Sequence, residues 1–170
     1  MNAQNHQEID AVKLLVDQHR KLERLLGRAL DETNEAEKMV LFEKVGDELS
    51  VHIKSEEDIF YPAVNVARTE DNLLESLEEH LSLKRLLADL MALDPSDKTF
   101  EAKFKVLKEQ TEHHHQEEEE HLFPAVCKML DKPRRAELGR EILALQKQLT
   151  REGEPREAVI KETASAAPLE

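Results

Sequence analysis

The sequence predicts an all-α protein: an up-down-up-down antiparallel four-helix bundle with an additional short C-terminal helix. Among the 170 residues only 4 are Gly and 6 are Pro, and Glu, Lys, Leu and Ala, which favour helices, are abundant. Apolar residues recur every three or four positions, which is the period of one helix face. Short polar connectors separate four long periodic segments, a spacing typical of antiparallel neighbours in a bundle.

The first two helices each carry a continuous apolar stripe. The first is predicted over residues 7–30, and Asn5 followed by Glu8 resembles a capping box at its start. After a polar break, the stripe of the second helix begins near Phe42 and ends in the region 66–68. Both segments are long enough to form two arms of the bundle.

The third and fourth helices repeat this arrangement. The stripe of the third begins at Leu73, and the helix ends before Asp94, which precedes a proline. Ser96 and Asp97 are N-cap candidates for the fourth helix, whose stripe extends to Ala125. These segments complete the four arms of the predicted bundle.

The domain boundaries follow from the breaks in periodicity. Residues 1–132 form the predicted bundle, and residues 133–150 form an amphipathic C-terminal helix that packs on the bundle or makes a dimer contact. Residues 151–170 are polar and small, and we expect a disordered tail there.

Composition excludes several classes of function. Lys and Arg total 24 and Asp and Glu total 37, so the formal charge is −13, which argues against nucleic-acid or anionic-membrane partners. Trp is absent and aromatic residues are 4%, which disfavours base-stacking surfaces. The single cysteine, Cys127, excludes an internal disulfide. It predicts a cytoplasmic protein, as does the lack of a signal region or a long apolar segment.

An internal repeat relates the two halves of the bundle. Residues 19–26 read HRKLERLL and residues 80–87 read HLSLKRLL, with five identities. At a nearly equal offset, four further pairs match: His52 with His114, Glu56 with Glu118, Glu57 with Glu119, and Pro62 with Pro124. Two copies complete a bundle, so a site is expected between the four helices.

The repeat selects six residues on the inward stripes: His19, His52, Glu56, His80, His114 and Glu118. A His and a Glu four positions apart share one helix face. Four imidazoles and two carboxylates would therefore converge in the core, where uncompensated carboxylates are costly. Imidazole and carboxylate ligands without thiolate suit Fe, Mn or Zn. The even division between the halves favours two ions over one.

Each of these residues also has a structural interpretation. A lone histidine on a helix stripe is more often a hydrogen-bonded core residue than a ligand, but two matched copies favour the metal. Spacing alone does not choose among His113, His114 and His115, because each precedes a Glu by four positions. The repeat selects His114. His113 and His115 then flank the ligand and are either solvated or in supporting contact with the ligands. His121 is a candidate for a supporting role facing the core, and Tyr61 is expected off the ligand face.

These motifs resemble the haemerythrin-like family, also called HHE cation-binding domains, over about residues 8–130. The resemblance rests on the six residues together with Pro62 and Pro124. It implies a four-helix bundle around a non-haem di-iron centre. It also implies that Glu56 and Glu118 bridge the irons with an oxo or hydroxo group and that the histidines are terminal ligands. Zn or Mn could substitute. The ferritin-like class fits poorly, because it needs Glu-x-x-His on two different helices, and on the second helix the residue three positions before His52 is Leu49.

The sequence departs from oxygen-carrying haemerythrins at one terminal ligand. Those proteins have a second His on the third helix, where Lys84 follows His80 by four positions and Ser76 precedes it by four. The fourth-helix carboxylate is Glu118 rather than an Asp one position later. We therefore expect a more symmetric and more open centre, and look to Lys84 and Ser76 for control of access.

Three functions stay open at this point. The first is a di-iron protein that binds or senses oxygen or nitric oxide and acts through a protein partner or a homodimer. The second is a peroxide-decomposing enzyme of a catalase-like or peroxidase-like kind, with His121 as the candidate acid–base group. The third is iron storage, delivery or repair, or a structural bundle that holds zinc.

Overall fold

The computed structural model describes residues 8–170 of the chain. Its α-helices are α1 (Ala11–Asp31), α2 (Glu35–Ser55), α3 (Tyr61–Val64), α4 (Glu70–Ala92), α5 (Phe100–Glu117), α6 (Phe123–Met129), α7 (Lys132–Glu152) and α8 (Pro155–Val159). Two π-helical turns join α2 to α3 and α5 to α6, over Glu56–Phe60 and Glu118–Leu122. The described part of the chain is all-α, as predicted.

Four arms form the bundle, and their buried apolar residues fall into two layers. One layer includes Leu26 of α1 and Phe104 of α5, and the other includes Leu15 of α1 and Leu77 of α4. In the arms that begin with α1, α4 and α5, the predicted site residues lie in sequence between the two layers, and in the second arm Glu56 lies between Ile53 of one layer and Phe60 of the other. The polar cluster is therefore enclosed by apolar packing above and below.

The helix starts differ in part from the predicted caps. Asp10 caps α1 by accepting a hydrogen bond from the Val12 backbone N–H at 2.9 Å, whereas the predicted cap Asn5 lies outside the described residues. The cap of α5 is Thr99 rather than Ser96 or Asp97. Asp97 instead accepts hydrogen bonds from the N–H and hydroxyl of Thr99, so it shapes the turn before the helix.

The two prolines inside the arms are accommodated by the π-turns. A proline in an α-helix has no N–H, and its ring clashes with the carbonyl four residues earlier. Here the N–H groups of Tyr61 and Phe123, which precede Pro62 and Pro124, donate to the carbonyls of Glu56 and Glu118, five residues back. Each turn is therefore widened by one residue directly after a site glutamate.

The C-terminal region differs from its prediction. Helix α7 is 21 residues long, longer than the predicted short helix, and it packs against α1 and α2. Gly139 permits this close approach, because a Cβ there would collide with the backbone carbonyl of Ile9. The expected disordered tail was wrong: α8 is helical, and Arg85 donates to the carbonyls of Thr163 and Ala164. These contacts are tertiary, so local composition did not reveal them.

None of the helices within residues 8–170 is both long enough and apolar enough to cross a membrane.

Candidate metal centre

The repeat places its six selected side chains in one buried cluster. His19 comes from α1, His52 from α2 and His80 from α4, whereas His114 lies near the end of α5. Glu56 and Glu118 are the first residues of the two π-turns. All six side chains are at most 2% exposed. Buried carboxylates without compensation are unstable, so the cluster calls for cations.

One half of the cluster is built from His19 and His52. The His19 Nε2 lies 3.1 Å from an Oε2 of Glu118, and the His52 Nε2 lies 3.0 Å from an Oε1 of Glu56. Despite these short distances, none of the four atoms is aligned for a hydrogen bond. Two ligand atoms at right angles on one ion, each about 2.1 Å from it, are about 3.0 Å apart. The spacing and the unpartnered atoms therefore fit one bound ion.

The other half is built from His80 and His114. The His80 Nε2 lies 3.0 Å from the Oε2 of Glu56 and 3.0 Å from the His114 Nε2. The Oε1 of Glu118 is 3.8 Å from the His114 Nε2. Each glutamate thus presents one oxygen to each pair of histidines. This is the arrangement expected of two carboxylates that bridge a pair of adjacent ions.

The outer nitrogens of the four histidines are all held by neighbouring side chains. The Nδ1 atoms contact oxygens of Glu119, Gln18, Glu57 and Glu79 at 2.6–3.1 Å, for His19, His52, His80 and His114 respectively. Histidines that bind metals characteristically donate their second N–H to an outer carboxylate or carbonyl. Each ring therefore turns its Nε2 into the cluster.

Tyr61 is a site residue that the sequence analysis misplaced. Its ring is fully buried, and its hydroxyl donates to the Oε1 of Glu118 at 2.6 Å. The Tyr61 hydroxyl oxygen also lies 3.3 Å from the Oε2 of Glu56 and 3.3 Å from the His80 Nε2. The expectation that Tyr61 lies off the ligand face was wrong, because the π-turn adds a residue and brings Tyr61 one turn beyond Glu56. The signal in the sequence was Pro62, which follows Tyr61 and indicates a break in the α-helical period at this point.

Burial and mutual repulsion separate the pKa values of the two glutamates. Burial, followed by repulsion from Glu56, raises the pKa of Glu118 to about 7. Burial acts on Glu56 in the same direction, but the imidazoles of His52 and His114 outweigh it and hold the pKa of Glu56 well below its ordinary value. Burial also lowers the pKa of His19 to about 3. Metal binding should therefore displace a proton from Glu118, whereas the His19 ring is already neutral.

The other histidines of α5 and its π-turn divide into buried and exposed. His115 is 1% exposed and stacks on His19 with ring centroids 3.8 Å apart. The side chains of His113 and His121 are 63% and 56% exposed. The expectation that His121 faces the core was wrong: its Nε2 lies 3.6 Å from Glu117 on the surface. The π-turn changes the phase after Glu118, so seven-residue spacing from His114 no longer applies.

Two narrow pockets flank the cluster. One, of about 10 Å³, lies beside Glu118 and is lined by Ser76 and His121. The second, of about 20 Å³, lies beside His52 and is lined by Gln18 and Gln146. A pocket of this size holds about one water molecule. Both pockets therefore leave room beside the cluster only for molecules of a few atoms.

Lys84 occupies the position of the histidine that the sequence lacks, but it points away from the cluster. Its ammonium lies 2.9 Å from the carboxylate of Glu57, and both side chains are 1% exposed. Glu57 in turn contacts the Nδ1 of His80 at 3.1 Å. The ammonium also reaches Glu162 of the C-terminal region at 3.2 Å. Lys84 thus holds the carboxylate of Glu57 in place, and Glu57 in turn holds the ring of His80.

The family of the chain is decided by a match that covers this whole centre. A family model described as the hemerythrin HHE cation binding domain matches residues 10–126. The chain belongs to the hemerythrin HHE cation-binding domain family. Membership and the buried His/Glu groups together identify a metal-binding protein. The resemblance inferred from the motifs is confirmed.

Two relatives place this HHE domain among known proteins. A hemerythrin HHE cation binding domain-containing protein from Mycobacterium kansasii has a solved structure with a TM-score of 0.76 and 23% identity, covering 90% of this chain and 98% of that one. It confirms the predicted fold. A DNA nickase from Nostoc sp. is 26% identical over 103 residues, which are 60% of this chain and 29% of the nickase. The HHE chain thus spans less than a third of that relative.

Proposed function

We propose that the chain is a di-iron protein that binds a small oxidising ligand, either oxygen, nitric oxide or peroxide. The observation that carries the proposal is the sharing of Glu56 and Glu118 between two pairs of histidines. Six ligands over two bridged ions suit iron better than zinc, which prefers closed four-coordinate sites. Iron, when bound, would supply the redox chemistry.

The residues of the chain limit what reaches the ions. Pockets of about 10 and 20 Å³ beside the cluster admit molecules of a few atoms only. Ser76 and the exposed His121 line the first of these pockets, so they would contact a small ligand as it enters. Tyr61 holds a proton at Oη within 3.3 Å of both glutamates, which supplies a protic group inside an otherwise dry core.

The test is the response of iron-loaded protein to each ligand. Anaerobically reduced protein should change its visible spectrum on adding oxygen or nitric oxide, and dilute peroxide should release oxygen faster than with equal free iron. His52→Ala is the matched control, because it removes one ligand. An unchanged spectrum with all three ligands, together with no oxygen release, would contradict the proposal.

A second candidate is iron storage or delivery, favoured by the burial of every ligand. Such a role predicts transfer of iron to an apo-acceptor protein, and a structural zinc bundle predicts no transfer and no redox change. A partner protein, a homodimer and a cytoplasmic location stay predictions. The net charge of −13 disfavours DNA as a partner, so nicking is not carried over from the longer relative.

A further inference from the structure

His115 stands directly beside the His19 half of the cluster. Its side chain is 1% exposed, and its ring is nearly parallel to that of His19, at 7° with centroids 3.8 Å apart. It also meets the ring of His52 edge to face at 5.7 Å. Histidine is an expensive residue to bury beside two other imidazoles unless its ring nitrogens have partners.

The two nitrogens of His115 are in the same situation as those of His19 and His52. The Nδ1 contacts the Oε1 of Glu23 at 3.1 Å, which fixes the ring from outside. The Nε2 is buried and has no hydrogen-bond partner. Among the histidines of residues 8–170, the exposed His113 and His121 lack this arrangement.

Ring nitrogens of three histidines lie close together in this half of the cluster. Ring nitrogens of His19, His52 and His115 all lie within 4.8 Å of one another. Ligand atoms on one octahedral ion are about 3.0 Å apart when adjacent and about 4.2 Å apart when opposite, for bonds of about 2.1 Å. An imidazole nitrogen binds an ion in the plane of its ring, and the His19 and His115 rings are nearly parallel, so one of these two rings must turn before both bind a single ion.

We infer that His115 is a fifth imidazole ligand, bound through Nε2 to the ion that His19 and His52 hold. The inference rests on the proposed metal function and adds a ligand to it. The centre is then asymmetric, with three imidazoles on one ion and two imidazoles beside the phenol of Tyr61 on the other.

Comparison of the two repeats did not select His115 as a ligand, for a geometric reason. Consecutive residues on a helix point about 100° apart, so His114 faces His80 while His115 faces His19. The corresponding residue of the first repeat is Ile53, which is buried in the apolar core. A ligand present in only one half cannot be selected by matching the halves.

The first test is a zinc titration of the full chain with ¹⁵N-labelled histidine, followed by NMR. The Nε2 resonances of His19, His52 and His115 should all move on zinc binding, while those of His113 and His121 stay. If the four repeat histidines move and His115 does not, the inference is overturned and the proposed site stands. If no histidine moves, both fail.

The second test compares His115→Ala with the matched neighbour His113→Ala. Each metal-free variant is first checked for its helical content, and zinc affinity is then measured by competition with a chelator. His115→Ala should weaken the binding of one of the two zinc ions by more than about 10-fold. Loss of a side chain that only contacts a metal ligand already weakens metal binding by about 10-fold or more. His113→Ala should leave both affinities unchanged. Equal zinc affinities in the two variants would overturn the inference.

Discussion

Replacing Lys84 with methionine removes a buried cation while keeping most of its apolar stem. The Lys84 ammonium and the Glu57 carboxylate are 2.9 Å apart and 1% exposed. Removing one member of a buried ion pair costs about 3–5 kcal/mol, because the other charge stays buried. Glu57 keeps its contact with the His80 Nδ1 at 3.1 Å, so we expect the lower end, about 3 kcal/mol.

The assay is urea unfolding of metal-free protein, followed by circular dichroism. With a slope of about 1–3 kcal/mol per molar urea, the midpoint should fall by about 1–3 M. The matched control is Lys54→Met, whose side chain is 23% exposed and pairs with Glu162 at 3.3 Å. A surface pair of this kind contributes less than about 1 kcal/mol.

The double variant Lys84→Met/Glu57→Gln separates pairing from packing. It removes the stranded charge, so it should recover about 1 kcal/mol or more relative to Lys84→Met. If Lys84→Met costs no more than Lys54→Met, the buried pair does not stabilise the fold and the reasoning is refuted.

Three further predictions concern hydrogen bonding, capping and packing. Tyr61→Phe should destabilise the metal-free protein by about 1–3 kcal/mol in urea unfolding, because Glu118 loses its buried donor; equal stability would contradict this. Asp10→Ala should lower the free energy of unfolding by about 1 kcal/mol at pH 7, because α1 loses its N-cap. Burial raises the pKa of Asp10, but its hydrogen bonds outweigh this and lower it from 3.8, so the deficit should shrink as the pH falls below that value. Gly139→Ala should lower the thermal midpoint, because the new Cβ meets the Ile9 carbonyl; an unchanged midpoint would show that α7 moves freely.

The predictable part of the fold came from periodicity and the repeat. Apolar stripes defined the four arms, and matching of the halves brought His52 and Glu56 together with His114 and Glu118. These relations depend only on helix geometry and on the requirement that a bundle bury its inward faces. They survive small errors in helix boundaries.

The unpredicted part arose where the helix period changes or where distant segments meet. Tyr61 and His121 both lie at the π-turns, where extrapolation at 100° per residue fails. The role of Lys84 depends on Glu57 and on Glu162 of the C-terminal region, which the sequence does not show to be near each other. The ordered tail depends on contacts of the same tertiary kind.

The most direct test of the central claim is the metal content of the full chain, with its optical spectrum. The protein is prepared from iron-replete cells without chelator, beside Glu118→Ala, which loses a shared carboxylate. Wild type should hold about two iron ions per chain, with near-ultraviolet absorption from an oxo bridge, and Glu118→Ala should hold fewer. A folded wild-type protein with one ion or none, or with zinc alone, would contradict the claim of a bridged di-iron centre.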